Sequence, residues 1–482
     1  MAGIGFQLRK LARQDTISSV VAAAGHAAVV AAGPWLFTIL SLASISVLTS
    51  QAVGPHTLAA FRVIVIYAFA LSLVATAPVT IVATRLVANA LWLKRPQDVR
   101  PLLLGAFAFA LLAVGLGMAA LMLLFRLPAN TAVVLGAGSL LVGLIWVALC
   151  FCGAVRDYLA VTLSFLVGLF VSLLASVVAA IFHLGALGMA LGFFAGLAVT
   201  FFGMTIAVLR TFTQPAAAPV QGILAMTRGL ASYATLAVGA LLGTAGVWID
   251  KWVFWASVNG EAIPSGLVHA PLYDSAMFIA SLFVIPALSA FVIRLETEFF
   301  DRYQQYYATI QSHGTFEQIE TARARLAGYT LDNLTLITVM QAGLCAVLIL
   351  AAPMIVEALA MQFGQVAILR YGALGVVFQF IFIAATSVLL FFDRRWHYLA
   401  MQALFLALNA GLTQLSIVKG VDYYGIGFFL ATLLASLAAW GLAAATFRDL
   451  NYLTFIGNNP SVGEAPGDRR SGLLGRLGAA LR

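Results

Sequence analysis

Apolar residues run along this chain in blocks about as long as a hydrocarbon bilayer is thick. Such runs recur at 20–50, 57–84, 101–125, 131–152, 157–182, 185–209, 226–256, 270–293, 332–356, 366–392, 397–418 and 424–446. A membrane helix needs about 20 apolar residues. Runs this long and unbroken exclude the alternating strands of a membrane barrel. The pattern therefore predicts an all-α membrane protein of about twelve transmembrane helices. The first run is longer than the apolar core of a cleaved leader, roughly 7–15 residues, and is read as retained.

The polar stretches between the runs carry their own periodicity. In 296–330, Phe299, Phe300, Tyr303, Tyr306, Tyr307 and Ile310 recur at helical spacing. Gly314 stands where that helix would end, and Thr315 with Gln318 forms a capping box for the next. A two-helix hairpin projecting into the cytoplasm is expected. Its aromatic face either packs on the rest of the protein or offers Phe300, Tyr303 and Tyr307 to a partner. Residues 1–16 read as an interfacial helix, with Ile4, Phe6 and Leu8 set against Arg9, Lys10 and Arg13. Residues 447–482, rich in Gly, Pro and Arg, read as a cytoplasmic tail with a short surface helix.

An internal repeat is legible. Ser72-Leu73 precedes Arg85-Leu86 by the spacing at which Ser281-Leu282 precedes Arg294-Leu295, each with a proline between, Pro78 and Pro286. Tyr158-Leu159-Ala160 with Phe165-Leu166 matches Tyr398-Leu399-Ala400 with Phe405-Leu406, and Gly185 and Gly425 keep that second offset. The two offsets differ by the length of the polar hairpin, which marks it as an insertion. The expectation is two six-helix lobes, 17–212 and 222–446, with a pathway between them.

Composition supports the membrane reading. Only 9% of the residues are charged, against about 25% in a soluble domain, so lipid must be the solvent for most of the chain. With the N-terminus in the cytoplasm, all but five of the 26 Lys and Arg residues fall inside; Arg62, Arg126, Lys251, Arg370 and Lys419 are the exceptions. This bias places both termini in the cytoplasm. The net charge of +8 is thus a topology signal, and no clustered basic face points to nucleic acid. Cys150, Cys152 and Cys345 lie in apolar runs without metal-ligand spacing and read as inert thiols.

The motifs of membrane-bound enzymes are missing. There is no Walker A loop and no HExxH, and no Asp-x-Asp pair to hold a metal and nucleotide sugar. No catalytic residue, cofactor or metal is expected. The charges inside the runs collect at one depth. Asp250 stands 22 residues past Arg228, Asp274 stands 20 before Arg294, and Arg62 stands 23 before Arg85, each roughly 30–35 Å along a helix. Together with Lys251, Glu357 and Arg370 they read as an outer vestibule or as structural ion pairs at helix ends. At mid-depth the polar candidates are neutral: Tyr67, Trp146, Gln341, Gln379 and Asn409. Amides bond sugar hydroxyls and rings stack on sugar faces, although amides also bond helix to helix in lipid.

Particular segments resemble a known family. They are Met1-Ala2-Gly3-Ile4-Gly5-Phe6 with Leu8-Arg9-Lys10-Leu11, Gly33-Pro34-Trp35, Trp248-Ile249-Asp250-Lys251-Trp252 with Phe254-Trp255, Tyr273-Asp274-Ser275-Ala276-Met277-Phe278, and Glu296 through Tyr307. The chain resembles the PelG family of exopolysaccharide transporters, within the flippase and multidrug-exporter (MOP) superfamily. Gln7 stands where an acid is expected, and the tail beyond 456 matches nothing in it. The resemblance implies two six-helix bundles and a polysaccharide substrate rich in N-acetylgalactosamine. It also implies assembly with other inner-membrane Pel-type subunits and a cytosolic glycosyltransferase, and no established catalytic residues. The alternatives are a flippase for a lipid-linked oligosaccharide, a cation-coupled small-molecule exporter, and a membrane-embedded sugar transferase. Asp15, Asp98 and Asp157 all lie in cytoplasmic segments, which leaves no carboxylate within the membrane in the first six runs; the expectation is a passive or partner-driven conduit, with Glu357 as the one candidate for proton coupling.

Overall fold

The computed structural model describes residues 41–155, 158–214 and 218–457. The interfacial helix at 1–16, most of the first apolar run and the tail beyond 457 lie outside the described residues. Eleven described helical segments, one of them the broken stretch Pro271–Arg294, are long and apolar enough to cross a membrane. Residues 41–49, the end of the first run, are helical as well. Only helices and closed barrels satisfy every backbone N–H and C=O within hydrocarbon. The one sheet among the described residues is a two-stranded hairpin outside the spans.

The first lobe holds α1 (Pro55–Trp92), α2 (Val99–Leu124), α3 (Ala129–Cys152), α4 (Tyr158–Ile181) and α5 (Gly185–Thr211). A short helix, α6 (Pro219–Ser232), leads to α7 (Ala234–Trp255), the first span of the second lobe. Strands β1 (Glu261–Ala262) and β2 (Val268–His269) follow, then α8 (Pro271–Leu282) and α9 (Ile285–Arg294). The insertion helix α10 (Phe300–Gln311) precedes α11 (Phe316–Ala358), α12 (Gln365–Phe391), α13 (Arg395–Lys419) and α14 (Ile426–Arg448).

The predicted run at 226–256 is two helices. The chain turns at Tyr233, and α6 lies against α2 instead of continuing into the membrane. Gly105 and Gly222 permit that crossing, since a Cβ on Gly222 would collide with the Pro101 carbonyl. The run at 270–293 also breaks, at Phe283–Val284, where the N–H groups of both residues bond three residues back. Pro286 opens α9 there. Its ring would clash with the Leu282 carbonyl of a continuous helix. The repeat partner Pro78 sits inside an unbroken α1.

The opposite correction applies to the hairpin. Its second helix and the span at 332–356 are one helix, the 43-residue α11. It is about 65 Å long at 1.5 Å per residue, twice the roughly 30 Å hydrocarbon core. Asp332 and Asn333 interrupt the hydropathy but not the helix, because backbone bonding continues across the water–lipid boundary. The predicted capping box is present: Gln318 N donates to Thr315 Oγ1, and Thr315 N donates to Gln318 Oε1 at 2.9 Å.

Helix pairings repeat between the lobes. α3 packs on α1 and α5, as α12 packs on α8 and α14, and the α4–α5 hairpin matches α13–α14. Gly185 and Gly425, equivalent by sequence offset, both have positive φ, +69° and +90°. Both occupy the tight turn into the second helix of the hairpin, a conformation that glycine adopts at the least steric cost. At Gly425 an added Cβ would also lie 3.1 Å from Tyr371 Cβ, whereas at Gly185 it would meet nothing within 4 Å. Gly185→Ala is expected to lower stability by about 1 kcal/mol, the backbone penalty alone. Gly425→Ala is expected to lower it further, by the added crowding. Unfolding of the two variants in detergent, followed by helical circular dichroism, measures the difference; equal losses would mean the Tyr371 contact yields freely.

Candidate functional site

The end of the bundle that carries the β-hairpin gathers the charges and aromatic rings. A helical turn places Asp250 and Phe254 on one face of α7, and Lys251 and Trp255 on the next. Tyr273 and Asp274 occupy the first turn of α8. Asp250 is fully buried. Lys251 Nζ lies 3.1 Å from its Oδ2, and the Tyr273 hydroxyl donates to the same oxygen at 2.9 Å. Tyr273 stacks on Phe254 with centroids 3.8 Å apart, and Tyr424 meets Phe254 edge-on at 4.8 Å. The Asp250 end of this ion pair is fully buried, while the Lys251 side chain keeps 14% of its surface exposed.

Asp274 organises the neighbouring cluster. Its Oδ2 accepts the Trp255 indole N–H at 2.8 Å and the Ala270 N–H at 2.9 Å. Its Oδ1 is buried with no partner among the described residues. Trp255 stacks on Tyr67 of α1 at 4.6 Å and 15°. The Tyr67 hydroxyl donates to the Val268 carbonyl at 2.6 Å. Tyr67, expected at mid-depth in the pathway, is therefore a contact to the β-hairpin; counting residues gave its distance along α1 but not the loop that folds back to meet it.

The remaining predicted charges do not join this group. Arg62 is exposed on α1, with its Nε on the Leu58 carbonyl at 3.3 Å. It acts on the hairpin electrostatically: burial depresses the pKa of His269, Glu261 opposes that, and the Arg62 charge lowers it further. Glu357 is exposed in the last turn of α11. Arg370 is exposed on α12, its Nε bonded to the Ile349 carbonyl at 3.2 Å. Neither makes an ion pair among the described residues.

The neutral candidates are dispersed over separate helices. Trp146 on α3 meets Phe69 edge-on at 6.4 Å, its buried Nε1 without a partner among the described residues. Gln341 on α11 is fully buried, its Nε2 3.3 Å from Cys345 Sγ and its Oε1 unpartnered. Gln379 is buried on α12. Asn409 on α13 donates to the Gly246 carbonyl of α7 at 2.8 Å. That bond ties helix to helix where α13 seats Tyr398, Gln402 and Phe405 against Gly239, Gly243 and Gly246.

Three residues escaped the sequence reading. Trp255 and Tyr273 hold the two carboxylates; the spacing of Asp250, Lys251, Phe254 and Trp255 along one helix was the available signal. Gln365 opens α12 and its Nε2 donates to Leu272 O at 2.9 Å and to Ser275 Oγ at 2.6 Å, fastening α8. Nothing in its sequence context marks it. At the opposite, arginine-rich end, Arg85 of α1 donates to the Leu390 carbonyl of α12 at 3.0 Å. Tyr233 lies beneath the Arg395 guanidinium at 4.8 Å and within 3.4 Å of Asn89 Nδ2.

The arrangement is that of two helical lobes fastened together at both ends. Residues 1–455 match the family model PelG, described as "Putative exopolysaccharide Exporter (EPS-E)". The chain belongs to the PelG family. Among curated proteins, none matches it in sequence. In fold it is similar to a MOP superfamily transporter from Pyrococcus furiosus, at 14% identity and TM-score 0.60 over 89% of this chain and 96% of that one. It is also similar to a multidrug-resistance MATE transporter in its inward-facing form, at 15% identity and TM-score 0.59 over 88% and 99%. The outward-facing form of such a transporter gives 15% and 0.56 over 89% and 96%. These likenesses show that the chain shares the fold of those proteins.

In this PelG-family chain the insertion helix α10 is seated on its own lobe. Tyr306 is fully buried, its hydroxyl donating to Asn451 Oδ1 at 2.9 Å. Tyr303 lies 6.0 Å from Phe392 and 4.8 Å from Tyr307 by ring centroids. Burial raises the pKa of the Tyr303 and Tyr306 phenols, keeping both protonated as donors. Phe300, Tyr303 and Tyr307 remain half-buried, so each keeps an open edge.

Removing one member of a buried ion pair leaves the other uncompensated and costs about 3–5 kcal/mol. Asp250→Ala and Lys251→Ala are each expected to destabilise the protein. The double variant is expected to lose less than the two single losses together. Detergent unfolding of the four proteins checks this; strict additivity would contradict pairing.

Proposed function

We propose that this protein exports an exopolysaccharide across the bacterial inner membrane, along a pathway between its two lobes. The observation that carries the reading is the PelG family match over residues 1–455, joined to a two-lobed transporter fold. The substrate is a Pel-like polymer rich in N-acetylgalactosamine. Lys and Arg placement orients the chain: termini and the α10–α11 hairpin in the cytoplasm, β-hairpin in the periplasm. Asp250, Lys251 and Asp274, with Arg62, Glu357 and Arg370 on the flank, belong to the periplasmic mouth. Trp146, Gln341 and Gln379 are the neutral polar groups deeper in the lobes; Asn409 there is committed to the Gly246 carbonyl.

The drive comes from partners. The five described spans of the first lobe contain no Asp or Glu. The sequence has no nucleotide-binding loop. A cytosolic glycosyltransferase that elongates the polymer would push it outward, the lobes supplying the passage. The α10–α11 hairpin is the docking place for that enzyme and for other inner-membrane Pel-type subunits. It offers the open edges of Phe300, Tyr303 and Tyr307, and Phe316 at the turn, 75% exposed. Locking Tyr306 to Asn451 holds this platform rigid.

Reconstitution in liposomes without partners tests the reading. An imposed proton or sodium gradient is expected to drive no accumulation of oligosaccharide. Gradient-driven accumulation that Glu357→Gln abolishes would replace the conduit with an antiporter.

A further inference from the structure

We infer that Tyr67, Trp255 and the β-hairpin form the outer gate of the pathway, and that Asp274 is the residue that positions it. The inference rests on the exporter reading and its orientation. Tyr67 belongs to the first lobe, on α1; Trp255, Val268 and Asp274 all belong to the second. Tyr67 docks by two contacts of different kinds, its ring face on the Trp255 indole and its hydroxyl on the Val268 carbonyl. Both docking partners are set by the same carboxylate oxygen. Asp274 Oδ2 holds the Trp255 N–H, and it holds the N–H of Ala270, two residues beyond Val268. A single side chain therefore fixes the ring and the strand that receive Tyr67.

The contact is closed. Tyr67 is 4% exposed and Trp255 9%, so these rings seal the joint and leave no open face for a sugar to stack on. The tip of the β-hairpin extends the seal. A Cβ at Gly266 would lie 3.2 Å from the Arg126 carbonyl and 3.4 Å from Leu127 Cδ2, in the loop between α2 and α3. The first lobe is thus met at two places by one element of the second. All of these contacts are single hydrogen bonds, ring faces or loop edges, which part without unfolding a helix. A polymer leaving between the lobes has to part them. Asp274 acts through Trp255 and Ala270, not by touching substrate. Oδ2 takes both bonds, and the amide oxygen of an asparagine can accept the same two N–H groups.

The test is a reversible lock in cells whose polymer secretion depends on this chain. Leu127→Cys with Gly266→Cys, in a background without Cys150, Cys152 and Cys345, places one thiol on each side of the joint. Oxidation is expected to join them and stop secretion, and reduction to restore it. Asp274→Ala is expected to lower the yield of that disulfide, and Asp274→Asn to preserve it. Labelling of Glu261→Cys from the periplasm serves as the control. If Glu261→Cys is labelled only after the membrane is opened, the orientation fails and the outer gate with it. If it is labelled and the oxidised protein still secretes polymer, the gate alone is overturned. An undiminished disulfide in Asp274→Ala would remove Asp274 from the positioning role.

Discussion

Hydrocarbon offers a polar group no partner, and an unpaired backbone N–H or C=O there costs on the order of several kcal/mol. Most of this structure follows from that. Serine and threonine hydroxyls along the spans bond the carbonyl one turn back, as Thr76 does to Ser72 and Thr386 to Phe382. Asn409 satisfies its amide on the Gly246 carbonyl and in doing so aligns α13 with α7. Asp250 tolerates burial because Lys251 and Tyr273 supply positive charge and a donor within one helical turn of the bundle end. Where helices break, at Tyr233 and before Pro286, the released groups find partners three or four residues back.

The same constraint concentrates polar chemistry at the two ends, and there the lobes are fastened. α1 is the shared element. Near one end it gives Tyr67 to the β-hairpin; near the other it gives Arg85 to the Leu390 carbonyl and Asn89 to Tyr233. Between these points the lobes meet through α1 and α7. Two lobes joined by separable polar contacts at each end suit a passage that opens while each bundle stays intact. The insertion is different in kind: Tyr306, Asn451 and Glu320 lash α10 to α11 and the chain after α14, so it moves with its own lobe.

Hydropathy made the spans legible because lipid selects for apolar length, and chemistry at helix ends made the Thr315–Gln318 cap and the Gly185–Gly425 correspondence legible. Hydropathy does not report direction. It merged α6 with α7, since both are apolar enough, and it divided α11 at Asp332, since it responds to side chains and not to backbone bonding. The candidate site divided along the same line. Asp250, Lys251 and Asp274 were singled out by counting residues from the arginines at the other end of their helices, and they lie together on two adjoining helix ends. The bond from Tyr67 to Val268 was not legible, because that partner is 201 residues away on a loop. Glu357 and Arg370 share a computed depth with the cluster, but depth fixes only one of three coordinates.

The central claim is that this chain is the route by which a polymer leaves the cell. The direct measurement is the distribution of polysaccharide between cytoplasm and medium in producing cells from which the protein has been depleted, with the cytosolic glycosyltransferase retained. Polymer that is still made but held inside, and released again on re-expression, is the predicted result. Secretion that continues undiminished without the protein would contradict the account.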